Sequence, residues 1–129
     1  MNADRDLHQA CQEWRRLAEA EGEAIRAGNW LVVHDCQNAL RDLQPRLSEL
    51  NLQARQEWSR QGCEQEKDKN LLTVIHSLIE LERRNYTWLN VRREAARAHL
   101  DQLEQAGRDL KRIRHSYAPA QHATWSSFS

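Results

Sequence analysis

The chain has 129 residues, with 19 Lys and Arg against 19 Asp and Glu, and its mean hydropathy is −0.91. Zero net charge removes any overall pull toward nucleic acid or membrane surfaces, and no run approaches the ~18 apolar residues of a membrane span. Four glycines and two prolines are too few for a fold rich in tight turns, whereas the abundant Ala, Leu, Arg, Glu and Gln are the residues of long helices. The length predicts one domain, and its polarity predicts narrow apolar stripes. That combination favours an elongated all-α bundle over a globule with a thick core.

Met1 to Trp14 contains no apolar stretch of the secretory kind. Cys11, Cys36 and Cys63 are odd in number and widely spaced, as reduced thiols of a cytoplasmic protein would be. Cys11 and Cys36 fall on apolar stripes, and Cys63 falls in a polar segment.

Helix 1 is predicted from about Asp4 to Ala27. Its stripe is Leu7, Cys11, Trp14, Leu17, Ala18 and Ile25, with Asp4 or Asp6 as its cap. Glu21 interrupts that stripe, and Gly22 weakens the second half. Gly28 suits the left-handed residue that ends a helix, and Asn29 suits the cap of the next. So short a turn makes helices 1 and 2 an antiparallel hairpin, clamped by Trp14 and Trp30.

Helix 2 is predicted from Trp30 to about Arg60. Val33, Cys36, Leu40, Leu43, Leu47, Leu50 and Ala54 alternate steps of three and four. Pro45 predicts a kink rather than a break, because the stripe resumes in phase at Leu47. Residues 61–69 read as a polar connection. Trp58 and Trp88 read as half-exposed, a common property of interface anchors.

Helix 3 is predicted over about 68–117, stopped by Ala118-Pro119. Its wide apolar face of Leu71, Leu72, Val74, Ile75, Leu78, Ile79 and Leu81 suits packing against two helices. Asn85 lies on the seam, where a polar residue sets helix register or bonds a partner. Beyond Arg92 the stripe narrows to Ala95, Ala96, His99, Leu100, Leu103, Ala106, Leu110 and Ile113. A helix of ~45 residues spans roughly 68 Å, more than the preceding hairpin covers. Helix 3 should therefore draw level with the Gly28 turn near Ala98, leaving its last turns to another molecule. Residues 83–114 also carry nine basic side chains against Glu94, Asp101, Glu104 and Asp109. Such a run is ordinarily a solvated face, and otherwise a basic rim around a docking site.

These readings give one helical domain over 1–117 and a mobile tail over 118–129 that carries Trp125 and Phe128. The predicted partner-binding residues are Asn85, Leu89, Arg93, Ala96, Arg97, Leu100, Leu103, Leu110, Ile113 and Tyr117. Arg108 and Arg114 complete the rim.

No catalytic, cofactor or metal motif stands out, so the chain reads as a non-enzyme. The adjacent residues His34, Asp35 and Cys36 point in different directions on a helix. His76 and Glu80 are four apart, but the recurring Glu-x-x-His pairs of a di-iron bundle are missing.

The run from Glu23 to Trp30, the Leu- and Gln-rich second helix, and Leu78-Ile79-Glu80-Leu81-Glu82-Arg83-Arg84-Asn85 ahead of a long amphipathic stretch to Tyr117 resemble the FlgN-type flagellar export chaperones. The pattern covers most of the chain and departs at Glu82, where the family often has Asn, and at Ala118, where it often has Gly. The resemblance implies a bacterial cytoplasmic chaperone of a type III export pathway. It would bind the C-terminal helices of secreted hook–filament junction subunits, mask them, and hand them to the export apparatus. A structural coiled-coil homodimer or adaptor without an export role remains the alternative. A nucleic-acid binder using the Arg-rich helix is disfavoured by the interspersed carboxylates.

Overall fold

In the computed structural model, backbone is described for residues 2–117 and side chains for residues 2–115. The fold is an all-α three-helix bundle of α1 (Ala3–Ala27), α2 (Trp30–Gln61) and α3 (Glu64–Tyr117). The predicted tail, with Trp125 and Phe128, lies outside the described residues. None of these helices is long and apolar enough to cross a membrane. The chain divides into two units, residues 1–90 and 91–129, with the boundary inside α3.

Both turns of the first unit use one device. Gly28 and Gly62 adopt φ of 71° and 72°, which L side chains rarely adopt. The chain then folds back to the preceding turn: Asn29 N–H donates to the Ala24 carbonyl (2.9 Å), and Cys63 N–H to that of Trp58 (3.1 Å). The Asn29 side chain accepts from Val32 N–H at 3.4 Å, as its cap position predicts. At the second turn the structure corrects the sequence reading. The polar 61–69 segment shrinks to Gly62 and Cys63, and Glu64 to Lys67 join α3. Their polarity reflects exposure of the first helical turn.

The cap of α1 also differs from expectation. Asn2 occupies the cap position without a side-chain bond. The Ala3 N–H instead donates to the buried Glu57 carboxylate on α2 (3.0 Å). A carboxylate at a helix N-terminus meets both an orphan donor and the positive end of the dipole. Asp4 is thereby left to accept from Trp58 Nε1 (3.1 Å) and from Lys67 Nζ of α3 (3.2 Å).

The core lies where the three helices meet. Leu7, Ala10 and Cys11 of α1 pack with Leu50, Ala54 and Trp58 of α2 and Leu78 of α3. A second cluster of Ala24, Ile25 and Val33 sits beside the Gly28 turn, with Trp88 and Leu89 of α3 against it. Every member of the predicted α2 stripe is buried or half-buried, including Leu43 and Leu47 on either side of Pro45. Trp58 is buried at 2 % exposure, against the half-exposed expectation, whereas Trp30, expected as a clamp of the hairpin, is 49 % exposed. Cys11 and Cys36 are buried, Cys63 is half-buried, and all three are free thiols.

α2 runs through Pro45 without a break. Proline removes the donor that would bond the Arg41 carbonyl and crowds the preceding turn. Pro45 is exposed, so no packing offsets that cost. Pro45→Ala is expected to stabilise the protein by about 1–3 kcal/mol, read as an increased urea midpoint at unchanged slope. An unchanged midpoint would show that the fixed φ of the proline offsets the lost hydrogen bond.

Candidate docking surfaces

The predicted partner-binding residues divide at Asn90. Asn85 is only 2 % exposed and belongs to the interior. Its Nδ2 donates to the Ala18 carbonyl (2.7 Å) and to the buried Glu21 carboxylate (3.0 Å), and its Oδ1 accepts from Arg84 (3.1 Å). Leu89 packs against the cluster at the Gly28 turn. Both residues are corrected from partner contacts to contacts between α1 and α3.

The approach of these helices depends on Gly22. A Cβ there would lie 2.5 Å from Asn85 Oδ1, 2.6 Å from Arg84 Nη2 and 3.1 Å from Trp88 Cζ3. Gly22 and Glu21, read as an interruption of the stripe, are therefore the seat for Asn85. Trp88 closes this corner, with the Arg84 and Arg26 guanidinium carbons 4.2 and 5.1 Å from its ring centroid. Arg15 adds a donor bond to Ser77 Oγ at 2.6 Å.

In the second unit, every described side chain from Val91 to Ile113 is exposed, including Arg93, Ala96 and Arg97. Leu100, Leu103, Leu110 and Ile113 are each more than half exposed. The Tyr117 side chain lies outside the described residues. Burial on α3 ends at Asn90 rather than near Ala98. Because α3 starts at Glu64, it reaches the end of the hairpin sooner.

The stripe has unequal flanks. At 100° per residue, Arg93, Arg97, Arg108 and Lys111 fall on one side of Leu103 with Glu104, while Ala95, Ala98, Gln102 and Asp109 fall on the other. Off the stripe, Gln105 donates to Asp109 (3.0 Å), Arg108 to Gln105 (2.7 Å) and Arg112 to Asp109 (2.5 Å).

Sequence reasoning missed a second surface, in the first unit. A groove of about 970 Å³ runs between α2 and α3, with Leu7 and Trp14 of α1 at its floor. Gln44, Leu47, Ser48, Asn51 and Arg55 line one wall; Leu71, Leu72, Ile75, Ile79, Glu82 and Tyr86 line the other. The wide apolar face of α3 was expected to be covered by helices 1 and 2, but Leu72 and Ile79 are 48 % and 41 % exposed. The signal was its breadth, which exceeds what one hairpin can cover.

Glu82 sits in this groove. Burial pushes its carboxyl pKa up, the Glu21 carboxylate adds to that, and the Trp14 indole opposes both. The indole lies close enough to act on Glu82 yet makes no hydrogen bond of normal geometry. No group of three or more metal-ligating side chains converges among the described residues. Comparisons with protein-family models, curated proteins and solved structures found no match to this chain.

Proposed function

We propose that this chain is a cytoplasmic, non-enzymatic chaperone of a type III export pathway that binds amphipathic C-terminal helices of secreted hook–filament junction subunits. The observation that carries the docking part of this reading is the distal α3 stripe, with four large aliphatic side chains more than half exposed. Exposed apolar surface of this kind, rimmed by charge, is a recurrent mark of an interaction site. A client helix laid along it meets Leu100, Leu103, Leu110 and Ile113 at helical spacing, the helix-in-groove mode of peptide recognition. The basic flank favours a client with carboxylates beside its apolar seam. The export pathway itself rests on the FlgN-type resemblance.

The test uses a peptide of the C-terminal helix of the junction subunit from the same organism. Leu103→Asp with Leu110→Asp should weaken its binding at least ten-fold, while urea unfolding in dilute solution changes by no more than about 1 kcal/mol because the stripe makes no buried contact within one copy. Normal binding by the double variant, or no binding by the parent chain, would remove the reading.

A coiled-coil homodimer is the competing reading, and the flanks bear on its geometry. An antiparallel pair joined stripe to stripe is two-fold symmetric and sets each flank against itself. Arg93, Arg97, Arg108 and Lys111 would then face their own copies, which like-charge repulsion opposes.

A further inference from the structure

The groove between α2 and α3 holds buried polar atoms that the described chain satisfies poorly. Trp14 Nε1, Asn51 Oδ1 and Glu82 Oε1 make no hydrogen bond of normal geometry, although the Trp14 indole lies beside the Glu82 carboxyl, and all three residues line it. The other buried atom of this kind, Asp68 Oδ1, at least has Arg55 Nη2 at 2.6 Å. Buried polar groups in folded proteins find partners, so this floor calls for an occupant that brings them. Its charge requirement is specific. Glu82 forms no ion pair among the described residues, Glu21 behind it adds a second carboxylate, Arg84 is turned to Asn85 and Trp88, and Arg83 lies on the exposed rim.

A helix that fits must be apolar along its seam and carry a cation or donor within it. The distal part of α3 has that pattern. Ala96, Leu103 and Leu110 repeat every seven residues, Ala106 and Ile113 follow Leu103 and Leu110 by three, and Arg92 and His99 occupy the same seam. From Leu71 to Thr87 the groove wall runs about 24 Å, a little over four helical turns, which that segment can fill.

We propose that the groove binds the distal α3 segment of a second copy of this chain, so that two molecules exchange stripes and each covers the other's groove. The second copy supplies the apolar seam and the cation that this floor lacks. This arrangement sets the basic segment against Glu82 instead of against itself. It also hides the stripe until a client helix displaces it. The exchange does not depend on which client the chain serves.

Light scattering on the full chain should give twice the 15.2 kDa mass of one copy. The run is made at roughly 100 µM, where a Kd of about 1 µM leaves little monomer. Leu72→Glu with Ile79→Glu, both exposed sites, should give a monomer with unchanged circular dichroism, and so should Leu103→Asp with Leu110→Asp. An equimolar mixture of the two double variants keeps one of the two stripe–groove contacts, so it should associate more weakly than the parent but more strongly than either variant alone. Glu82→Gln should raise the dimer Kd about ten-fold by removing one charge pair. A dimer that survives the groove substitutions, or a mixture that associates no better than either variant alone, overturns the proposal. A monomeric mass for the parent chain also overturns it, and assigns the groove to another protein's helix or to residues 118–129.

Discussion

Trp58→Ala should cost about 3–5 kcal/mol, the range for deleting a buried aromatic side chain, and should be the most damaging single truncation in the hairpin. Two losses combine at this position, and one bond stays. The ring fills the cluster formed by Leu7, Ala10, Cys11 and Leu50, so its removal leaves a cavity that rigid helices cannot collapse. Its Nε1–H donates to Asp4, which also holds Lys67 of α3. Its backbone carbonyl accepts from Cys63 N–H at the turn into α3. That last bond survives truncation, so the turn should persist while the end of the bundle loosens. Urea unfolding measures the loss. Hydrogen exchange should show faster opening of residues 3–11 and 64–71 than of the region around Ile25. Trp58→Phe restores the volume but not the donor and should recover more than half of the stability. A loss below 1 kcal/mol for Trp58→Ala would mean that the ring does not hold the three helices together.

Periodicity made the helices legible because each stripe is a local property. Val33 to Ala54 alternates correctly whatever packs on it, and Gly28-Asn29 carries its turn chemistry within two residues. Contacts across the bundle were less legible, because their partners are far away in the chain. Trp58 looked half-exposed among Glu57, Ser59 and Arg60; Asp4 and Leu7, which cover it, lie more than 50 residues earlier. Glu57 carries no local signal, because the α1 N-terminus that it caps lies 54 residues earlier. The 61–69 segment misled because polarity marks exposure, and the exposed first turn of a helix is as polar as a loop. The distal stripe was anticipated correctly as exposed surface. The groove was not, because whether an apolar face is covered depends on how far apart two helices lie, which no single helix records.

Asn85→Ala should cost about 2–3 kcal/mol despite removing only three heavy atoms, since buried partners lose their bonds with it. The Glu21 carboxylate, 5 % exposed, loses its Asn85 donor, and the Ala18 carbonyl loses its side-chain bond. The more telling result concerns Gly22. In an ordinary helix interior Gly→Ala gains about 1 kcal/mol of helix propensity. Here the new methyl would lie 2.5 Å from Asn85 Oδ1. Arg84 is the end of a flexible side chain and can move aside. Asn85 is short and held by two donor bonds, so α1 and α3 must part or those bonds must break. Overpacking of this kind costs about 1–3 kcal/mol and outweighs the propensity gain. Gly22→Ala alone should therefore destabilise the protein by about 1–2 kcal/mol. With Asn85→Ala already present, the oxygen is gone, the flexible Arg84 end at 2.6 Å swings aside, and Trp88 Cζ3, at 3.1 Å, gives by a few tenths of an ångström. The same Gly22→Ala change should then stabilise by up to about 1 kcal/mol, a reversal of sign within one double-mutant cycle. Urea denaturation of the four proteins reads it directly. If Gly22→Ala shifts the midpoint in the same direction in both backgrounds, Asn85 is not seated against Gly22 and the register of α3 on α1 must be redrawn.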